Sequence, residues 1–239
     1  MSLPVAVLAG GLATRLRPLT DCIPKSLIEV AGEPFIFHQL AMLARQGVRE
    51  VVLCVAHRGE EIEAAVGDGR RWGLRVRYSY DGPQLAGTAG AVRGALSLLG
   101  EGFFVMYGDS YLRCDFADIE AKFLASGKPA LMTVLRNEGH WDTSNVLMDG
   151  DRLVAYDKRH PQPQMRHIDY GLSVMHAAAL ESDPHTTDLA QIYEALAGQG
   201  NMAAYIVRDR FYEIGSPQGL SETRGFLESE KEKRALELR

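Results

Sequence analysis

Val5 to Leu8 is a short run of β-branched and aliphatic residues that ends in paired glycines, Gly10-Gly11, with Arg15, Arg17 and Lys25 crowded behind it. No other stretch limits the fold as tightly. An apolar run without alternation suits a strand buried on both faces, the habit of parallel sheets. Glycines carry no Cβ, so their amides can approach a phosphate closely, and nearby guanidinium and ammonium groups add full charge to those dipoles. A Gly-Gly pair alone is turn punctuation. Three basic residues in the same loop favour a polyphosphate at the carboxyl end of the strand. Two better-known glycine loops are excluded. G-x-x-x-x-G-K-[ST] is absent, and after Gly11 the chain reads Leu-Ala-Thr-Arg, which breaks G-x-G-x-x-G.

The same kind of strand recurs. Residues 50–56 (EVVLCVA) and 103–107 (FFVMY) are continuous apolar runs, whereas 74–80 alternates and reads as half-exposed. Between them lie helical patterns at 34–46, 60–66, 88–99 and 119–125, and a strand follows at 130–135. This βαβα order predicts an α/β fold, a Rossmann-like, mostly parallel sheet flanked by helices. Ligands in such sheets sit at the carboxyl ends of strands. Gly10-Gly11, the segment Gln84 to Ala91 and Gly108-Asp109 all fall at such ends. Beyond Asn137 the pattern loosens. A hairpin is expected from 146–148 and 153–156, a polar loop at 160–164, a strand at 170–174, a helix at 189–196 and strands at 203–207 and 210–214. A charged helix closes the chain over 218–239, with Leu220, Thr223 and Leu227 on the side expected to cover the core.

The 239 residues, 46% of them hydrophobic, suffice for one large domain. The net charge of −5 and the lack of a long Lys/Arg block argue against a nucleic-acid polymer as partner. No apolar run reaches membrane-spanning length, so no membrane partner is expected. The chain enters its first strand directly, and no signal peptide is expected. Cys22, Cys54 and Cys114 are odd in number and widely spaced, and they read as reduced, buried thiols of a cytoplasmic protein. The seven histidines show no metal-ligand spacing; His167, in His167-Ile168-Asp169, reads as a hydrogen-bonding group in a loop. Phe35 and Phe37 are expected in the core, with a homo-oligomer interface as the alternative.

Two carboxylates stand at strand ends beside glycines: Asp109 after FFVMYG, and Glu213 in FYEIGSP. Each alone suits a turn. Together at a phosphate site they would repel the triphosphate unless a divalent cation lay between, and Mg²⁺ takes oxygen ligands and bridges substrate phosphates.

These motifs resemble those of the sugar-1-phosphate nucleotidyltransferases, or NDP-sugar pyrophosphorylases, over nearly the whole chain. Residues 8–20 (LAGGLATRLRPLT) are similar to that family's L-A-G-G-x-G-T-R-L-x-P-L-T, and 24–27 (PKSL) to its P-K-x-L. The resemblance implies a fold of the nucleotide-diphospho-sugar transferase type, with a nucleotide-binding half over about 1–135 and a sugar-binding half over about 136–239. It implies that Leu8, Ala9, Gly10, Gly11 and Thr14 hold the nucleotide, and that Arg15 and Lys25 are catalytic. Residues 84–91 (QLAGTAGA) resemble E-P-L-G-T-A-G-A, which implies that Gln84, Gly87 and Thr88 bind the nucleotide, Gln84 and Gly87 facing base and ribose. Asp109 matches a metal-binding aspartate, and Glu213, in a segment like D-I-G-T-P, the second ligand of Mg²⁺. Asp157-Lys158 resembles an E-K pair, and Asp169-Tyr170-Gly171 an N-x-G or D-Y-G segment. With Asn145 these would hold the sugar phosphate.

The implied reaction joins an NTP to a sugar 1-phosphate, a route into nucleotide-sugar and cell-surface polysaccharide synthesis. The chain departs from the pattern at three places. Ala13 replaces a loop glycine, Asp157 is one methylene shorter than the usual residue, and Glu213 is one longer. Among the subfamilies the chain looks most like the heptose-1-phosphate guanylyltransferases, with N-acetylmuramate-1-phosphate uridylyltransferases as the alternative. Other UDP-, dTDP- or CDP-sugar synthesis, a non-catalytic nucleotide-sugar sensor and a phosphocholine-type cytidylyltransferase complete the alternatives. The last needs an aromatic cage, for which Trp141, Tyr156 and Tyr170 are the candidates.

Overall fold

Apolar side chains alternate across the buried strands and so divide the core between two faces of one sheet. Val5, Val7, Val51, Leu53, Phe104 and Met106 point to one face; Ala6, Val52, Cys54, Phe103 and Val105 point to the other. That double burial is why these runs carry no polar alternation. The structure, a computed structural model, describes all residues except 1, 12, 13, 17–19, 21, 22, 83, 138, 182, 238 and 239, and for 14, 234 and 237 it describes the backbone alone.

The first half comprises β1 (Val5–Leu8), the two-residue strands β2 (Glu29–Val30) and β3 (Glu33–Pro34), α1 (Phe35–Arg45), β4 (Glu50–Val55), α2 (Gly59–Val66), β5 (Arg75–Tyr80), α3 (Gly87–Gly94), α4 (Leu96–Leu99), β6 (Gly102–Tyr107), β7 (Ser110–Tyr111), α5 (Phe116–Ser126) and β8 (Ala130–Arg136). The second comprises β9 (Val146–Asp149), β10 (Arg152–Tyr156), β11 (His167–His176), α6 (Ala177–Glu181), α7 (Leu189–Gly198), β12 (Met202–Val207), β13 (Tyr212–Glu213) and α8 (Pro217–Glu237). The main sheet has nine strands in the order β10-β9-β11-β6-β1-β4-β5, with β8 along β11 and β12 along β8. β6, β1, β4 and β5 are parallel, as are β8 and β12. Only β10 and β11 oppose the rest, so the sheet is mostly parallel by strand direction. One face is covered by α1, α2, α5 and α8 through Phe35, Ile62, Phe116 and Leu220; the other by α3, α4, α6 and α7 through Val92, Leu99, Leu180 and Ile192.

Most expected elements are present, and the exceptions have physical causes. The single helix expected over 88–99 is broken at Ala95, whose amide bonds back to Val92 O at 3.0 Å, a tightened turn beside Gly94. The helix expected over 119–125 starts earlier, because Asp115 caps it by accepting the Asp118 amide at 3.0 Å. His167-Ile168-Asp169 is strand rather than loop. It is the first part of β11, paired to Leu135 and its neighbours in β8, and the register shifts between Asp169 and Ser173. The strand expected over 210–214 shrinks to Tyr212–Glu213, pairing with Ser110–Tyr111 in a two-stranded ribbon. Leu220, Thr223 and Leu227 of α8 are buried on the core. Phe35 is fully buried, while Phe37 is half-buried, edge-on to Trp72 with Arg71 over its ring. Cys54 is buried and Cys114 half-buried, both free; Cys22 lies outside the described residues. Burial lifts both described thiols to about 12, so neither is a ready nucleophile. Among the described residues no helix is long and apolar enough to cross a membrane.

Candidate active site

Two cavities open at the carboxyl ends of the strands. The first, about 500 Å³, is lined by Leu8, Ala9, Gly10, Gly11, Asp81, Leu85, Gly87, Thr88, Ala91 and Gly108. The second, about 680 Å³, is lined among others by Arg15, His140, Trp141, Asn145, Lys158, Asp169, Tyr170, Gly171, Arg210 and Glu213. Lys25, Tyr107 and Asp109 line both. The two cavities therefore meet at one ion pair, Lys25 Nζ to Asp109 Oδ2 at 2.6 Å.

The glycines of the first cavity are there for close approach. A Cβ on Gly10 would stand 2.9 Å from Ala56 Cβ, and one on Gly108 only 2.4 Å from Leu8 O, so β1 and its neighbours can converge only without side chains there. Gly11 differs: among the described residues beyond its chain neighbours, a Cβ would meet no atom within 4 Å, so its bareness leaves space for a ligand rather than for packing. Gly87 opens α3 at φ +74, with no room for a side chain against Thr187 O. Thr88 Oγ1 ties this turn to α7 by accepting the Leu189 amide at 2.9 Å.

Lys25 opens a short 3-10 turn, Lys25–Leu27, set by Pro24 O accepting the Leu27 amide at 2.9 Å. Asp109 follows β6 directly. The turn that carries it is braced by fully buried Gln39, whose amide donates to Ser110 O at 2.8 Å and Tyr107 O at 3.3 Å. Glu213 comes to the same place because its strand pairs with Ser110–Tyr111 and the Ile214 amide donates to Asp109 O at 2.9 Å. Its carboxylate also accepts from the Gly215 amide and from Ser216 Oγ. A methyl group at Gly215 would lie 2.7 Å from Glu213 Oε2, 3.2 Å from Lys25 Nζ and 3.3 Å from Asp109 Oδ2, so the three charges surround one point. No cluster of three or more His, Cys, Asp or Glu suited to a metal forms among the described residues. Two carboxylates at one point, with other ligands left to phosphate and water, is a donor set that fits Mg²⁺.

In the second cavity Asp169 Oδ1 accepts the Gly171 amide at 2.9 Å, and its own amide donates to Asn145 Oδ1 at 3.0 Å. Asp169 is half-buried by area yet ringed by protein. That desolvation raises its pKa, against the pull of the Gly171 amide, Lys158 and the Tyr156 hydroxyl. Lys158 lies 5.8 Å over the Tyr107 ring. Buried Asn137 shapes the loop above, donating to Ser144 Oγ at 3.0 Å and accepting the Trp141 amide at 3.0 Å. That loop delivers Trp141 onto Arg210, whose guanidinium lies 3.9 Å from the Trp141 ring and 4.6 Å from Tyr212, with Glu222 at 2.6 Å.

A model of the family described as "Nucleotidyl transferase" matches residues 5–144, more than half of the chain. This chain belongs to the nucleotidyl transferase family. Its relatives include a mannose-1-phosphate guanylyltransferase catalytic subunit beta of Drosophila pseudoobscura pseudoobscura, 30% identical over 89% of this chain and 59% of that protein. A glucose-1-phosphate thymidylyltransferase of Streptomyces antibioticus is 36% identical over 66% of this chain and 46% of its own length. An N-acetylmuramate alpha-1-phosphate uridylyltransferase of Neisseria meningitidis is 44% identical over 46% of this chain and 48% of that protein. The chain thus spans about half to three-fifths of the length of these relatives. Two solved structures share the fold of this chain: a Bacillus anthracis protein in complex with sucrose (TM-score 0.83, 16% identity, 94% of this chain and 95% of that one) and HddC from Yersinia pseudotuberculosis (TM-score 0.78, 22%, 94% and 99%).

The residues that the sequence motifs mark fall unevenly about the cavities. Leu8, Ala9, Gly10, Gly11, Gly87 and Thr88 line the first, Asn145, Lys158, Asp169, Tyr170 and Gly171 the second, and Lys25 and Asp109 both. Arg15 is exposed and lines the second cavity, not the first. Gln84 is exposed and is not part of either wall. Asp157 also stands outside both. Its carboxylate accepts the His160 and Arg159 amides at 2.7 and 2.9 Å, which hold it below the usual carboxylate range and make it a turn-former. Of the suggested aromatic cage only Trp141 and Tyr170 line the second cavity, and the cation already seated on Trp141 is Arg210. Ala13 and Arg17 lie outside the described residues, as does the side chain of Thr14. Nothing in the local sequence of Gln39, Asp81, Asn137 or Arg210 distinguishes a bracing or wall-forming side chain from a surface one.

Proposed function

We propose that the chain transfers a nucleotidyl group from an NTP to a sugar 1-phosphate, releasing pyrophosphate and an NDP-sugar. The observation that carries this reading is the junction. A glycine-lined cavity and a polar, aromatic-edged cavity share Lys25 and Asp109, so two substrates placed one in each would meet there. The relatives' names support the same class: each is a nucleotidyl transfer to a sugar 1-phosphate.

In this reading the triphosphate lies over Gly10 and Gly11, and the sugar phosphate between Asn145, Lys158 and Asp169. A phosphate oxygen of the sugar attacks the α-phosphorus in line. The bond from that phosphorus to the β-phosphate bridging oxygen breaks, and pyrophosphate leaves with the electron pair. The attacking phosphate is already ionised and needs no general base; positioning and charge neutralisation supply the catalysis. Lys25 neutralises charge gathering at the α-phosphate, Lys158 fixes the nucleophile and Arg15 meets phosphate at the second cavity's edge. Asp109 and Glu213 would hold Mg²⁺, which when bound neutralises phosphate charge there. Both substrates are small, charged metabolites, and the reaction is proposed to run in the cytoplasm. The sugar is proposed to be of the heptose type, in line with the sequence motifs.

Pyrophosphate release measured over a matrix of NTPs and sugar 1-phosphates, with Mg²⁺, tests the proposal. Release is expected only when one NTP and one sugar 1-phosphate are both present. NTP binding without pyrophosphate release across the matrix would favour the sensor reading instead.

A further inference from the structure

Gln39 puts an amide where α1 packs on the core. It is fully buried, on the face of the helix that also carries Phe35, Ile36, Leu40 and Leu43. Its Nε2 donates to Ser110 O at 2.8 Å and to Tyr107 O at 3.3 Å, while its Oε1 has no partner among the described residues. Both carbonyls can only accept, so the nitrogen is the atom that faces them. Burying an amide with its oxygen unpaired costs stability. A position filled for packing alone would carry leucine or methionine. The reason for an amide lies in what it holds.

What it holds is the turn bearing Asp109. Tyr107 and Ser110 stand on either side of Gly108-Asp109, so one side chain grips both ends of that turn. The Gly108 amide donates to Leu8 O at 3.0 Å, and Asp109 O accepts the Ile214 amide at 2.9 Å. Those backbone bonds tie the turn to β1 and to the residue after β13; Gln39 ties it to α1.

The start of α1 is anchored in turn to the segment bearing Lys25. The Ile28 amide donates to Lys25 O at 3.1 Å, the Phe35 amide to Ile28 O at 2.9 Å, and His38 Nε2 to Val30 O at 2.7 Å. A path of bonds thus runs from Lys25 through α1 to the Asp109 turn, and Gln39 is its last link. The direct contact, Lys25 Nζ to Asp109 Oδ2 at 2.6 Å, does not fix the geometry by itself. A cation bound at Asp109 competes with the lysine for the same carboxylate, so the frame behind the pair must hold both groups while that contact loosens.

We propose that Gln39 is a positioning residue for the divalent-cation site: through Tyr107 O and Ser110 O it sets where the Asp109 carboxylate stands relative to Lys25 and Glu213. The proposal rests on the reading of Asp109 as a ligand of Mg²⁺ and adds what keeps that ligand in place.

The test is Mn²⁺ binding to the full chain without substrates, followed by electron paramagnetic resonance, for wild type, Asp109→Asn, Gln39→Met and Gln46→Met. Methionine at position 39 is unbranched and apolar and removes the donor. Gln46, at the C-terminal end of α1, is the control: its Oε1 accepts the Phe116 amide at 3.3 Å, a brace of the same kind away from the Asp109 turn. Asp109→Asn is expected to lose Mn²⁺ binding. Gln39→Met is expected to weaken it by roughly 10- to 100-fold, the range for a group that orients a metal ligand. Gln46→Met is expected to bind Mn²⁺ as wild type does, whatever it does to the melting temperature. A Gln39→Met with wild-type Mn²⁺ affinity, or a Gln46→Met weakened as much as Gln39→Met, overturns the positioning role and leaves the cation site and the transfer reaction standing. A wild type that binds no Mn²⁺, or an Asp109→Asn that binds it fully, overturns the cation reading and this proposal with it. Should Gln39→Met fail to fold, as judged by its melting transition, Gln39→Asn, whose amide is drawn back by one methylene, is measured in its place and read in the same way.

Discussion

The two cavities are built by opposite means. The first is largely a backbone site: strand ends and bare glycines form one end, and its walls carry few charged side chains. The second is a side-chain site, in which Arg15, Lys158, Asp169, Trp141, Arg210 and Glu213 arrive from separate segments, Arg210 held by Trp141 and Glu222 and Asp169 by Asn145. A backbone site tolerates a common chemistry, since every triphosphate has the same phosphates. In the proposed reaction the side-chain site must fit one sugar among many. The contrast suggests that the nucleotide end is rigid from folding onward, while specificity for the acceptor rests on removable contacts.

Four substitutions probe this contrast, in falling order of effect. Asp109→Asn strikes the wall common to both cavities and should lower Mg²⁺-dependent turnover by roughly 10³-fold or more; activity kept within a few fold would detach the carboxylate from catalysis. In the backbone site, Gly108→Ala would push a methyl group to 2.4 Å from Leu8 O and should cost about 1–3 kcal/mol in a urea melt. Gly11→Ala, with nothing within 4 Å among the described residues beyond its chain neighbours, should change stability by less than about 0.5 kcal/mol yet raise KM for the triphosphate. Equal stability losses for the two glycines would erase the distinction between packing and ligand space. In the side-chain site, Arg210→Ala should raise KM for the sugar 1-phosphate by about 3- to 10-fold, the order of one cation–π contact, with KM for the NTP unmoved. A shift in the NTP value instead would place Arg210 in the wrong cavity.

The smallest effect concerns pH. Desolvation raises the Asp169 pKa, so the folded state holds that proton more tightly than the unfolded chain does. Folding stability should therefore fall as pH rises through the window just above the ordinary carboxylate range. Asp169→Asn should flatten this slope in melting temperature against pH, and an unchanged slope would assign it to another group.

How much of this was legible in the sequence follows the same divide. Residues 5–11, 50–56 and 103–109 could be read because strand, glycine and ligand end are contiguous in the chain, and Lys25 lies one loop away. The side-chain site was legible only where a motif marked it, as at Lys158 and Asp169-Tyr170-Gly171. Arg210 against Trp141, and Gln39 bracing the Asp109 turn, are meetings of distant segments with no local periodicity to announce them. The misplacement of His167–Asp169 as loop has the same root. A polar segment reads as loop until pairing to β8 and β9 satisfies its backbone groups. Asp157 shows the converse, a residue marked by a motif whose carboxylate is spent on its own turn.

The central claim is that catalysis happens where the two cavities share a wall, and Lys25 is the cation at that wall. The most direct measurement is the turnover number of Lys25→Ala with triphosphate, sugar 1-phosphate and Mg²⁺ all saturating. Loss of one preorganised charge contact predicts a fall of roughly 10²-fold or more. Turnover near that of wild type would contradict the account.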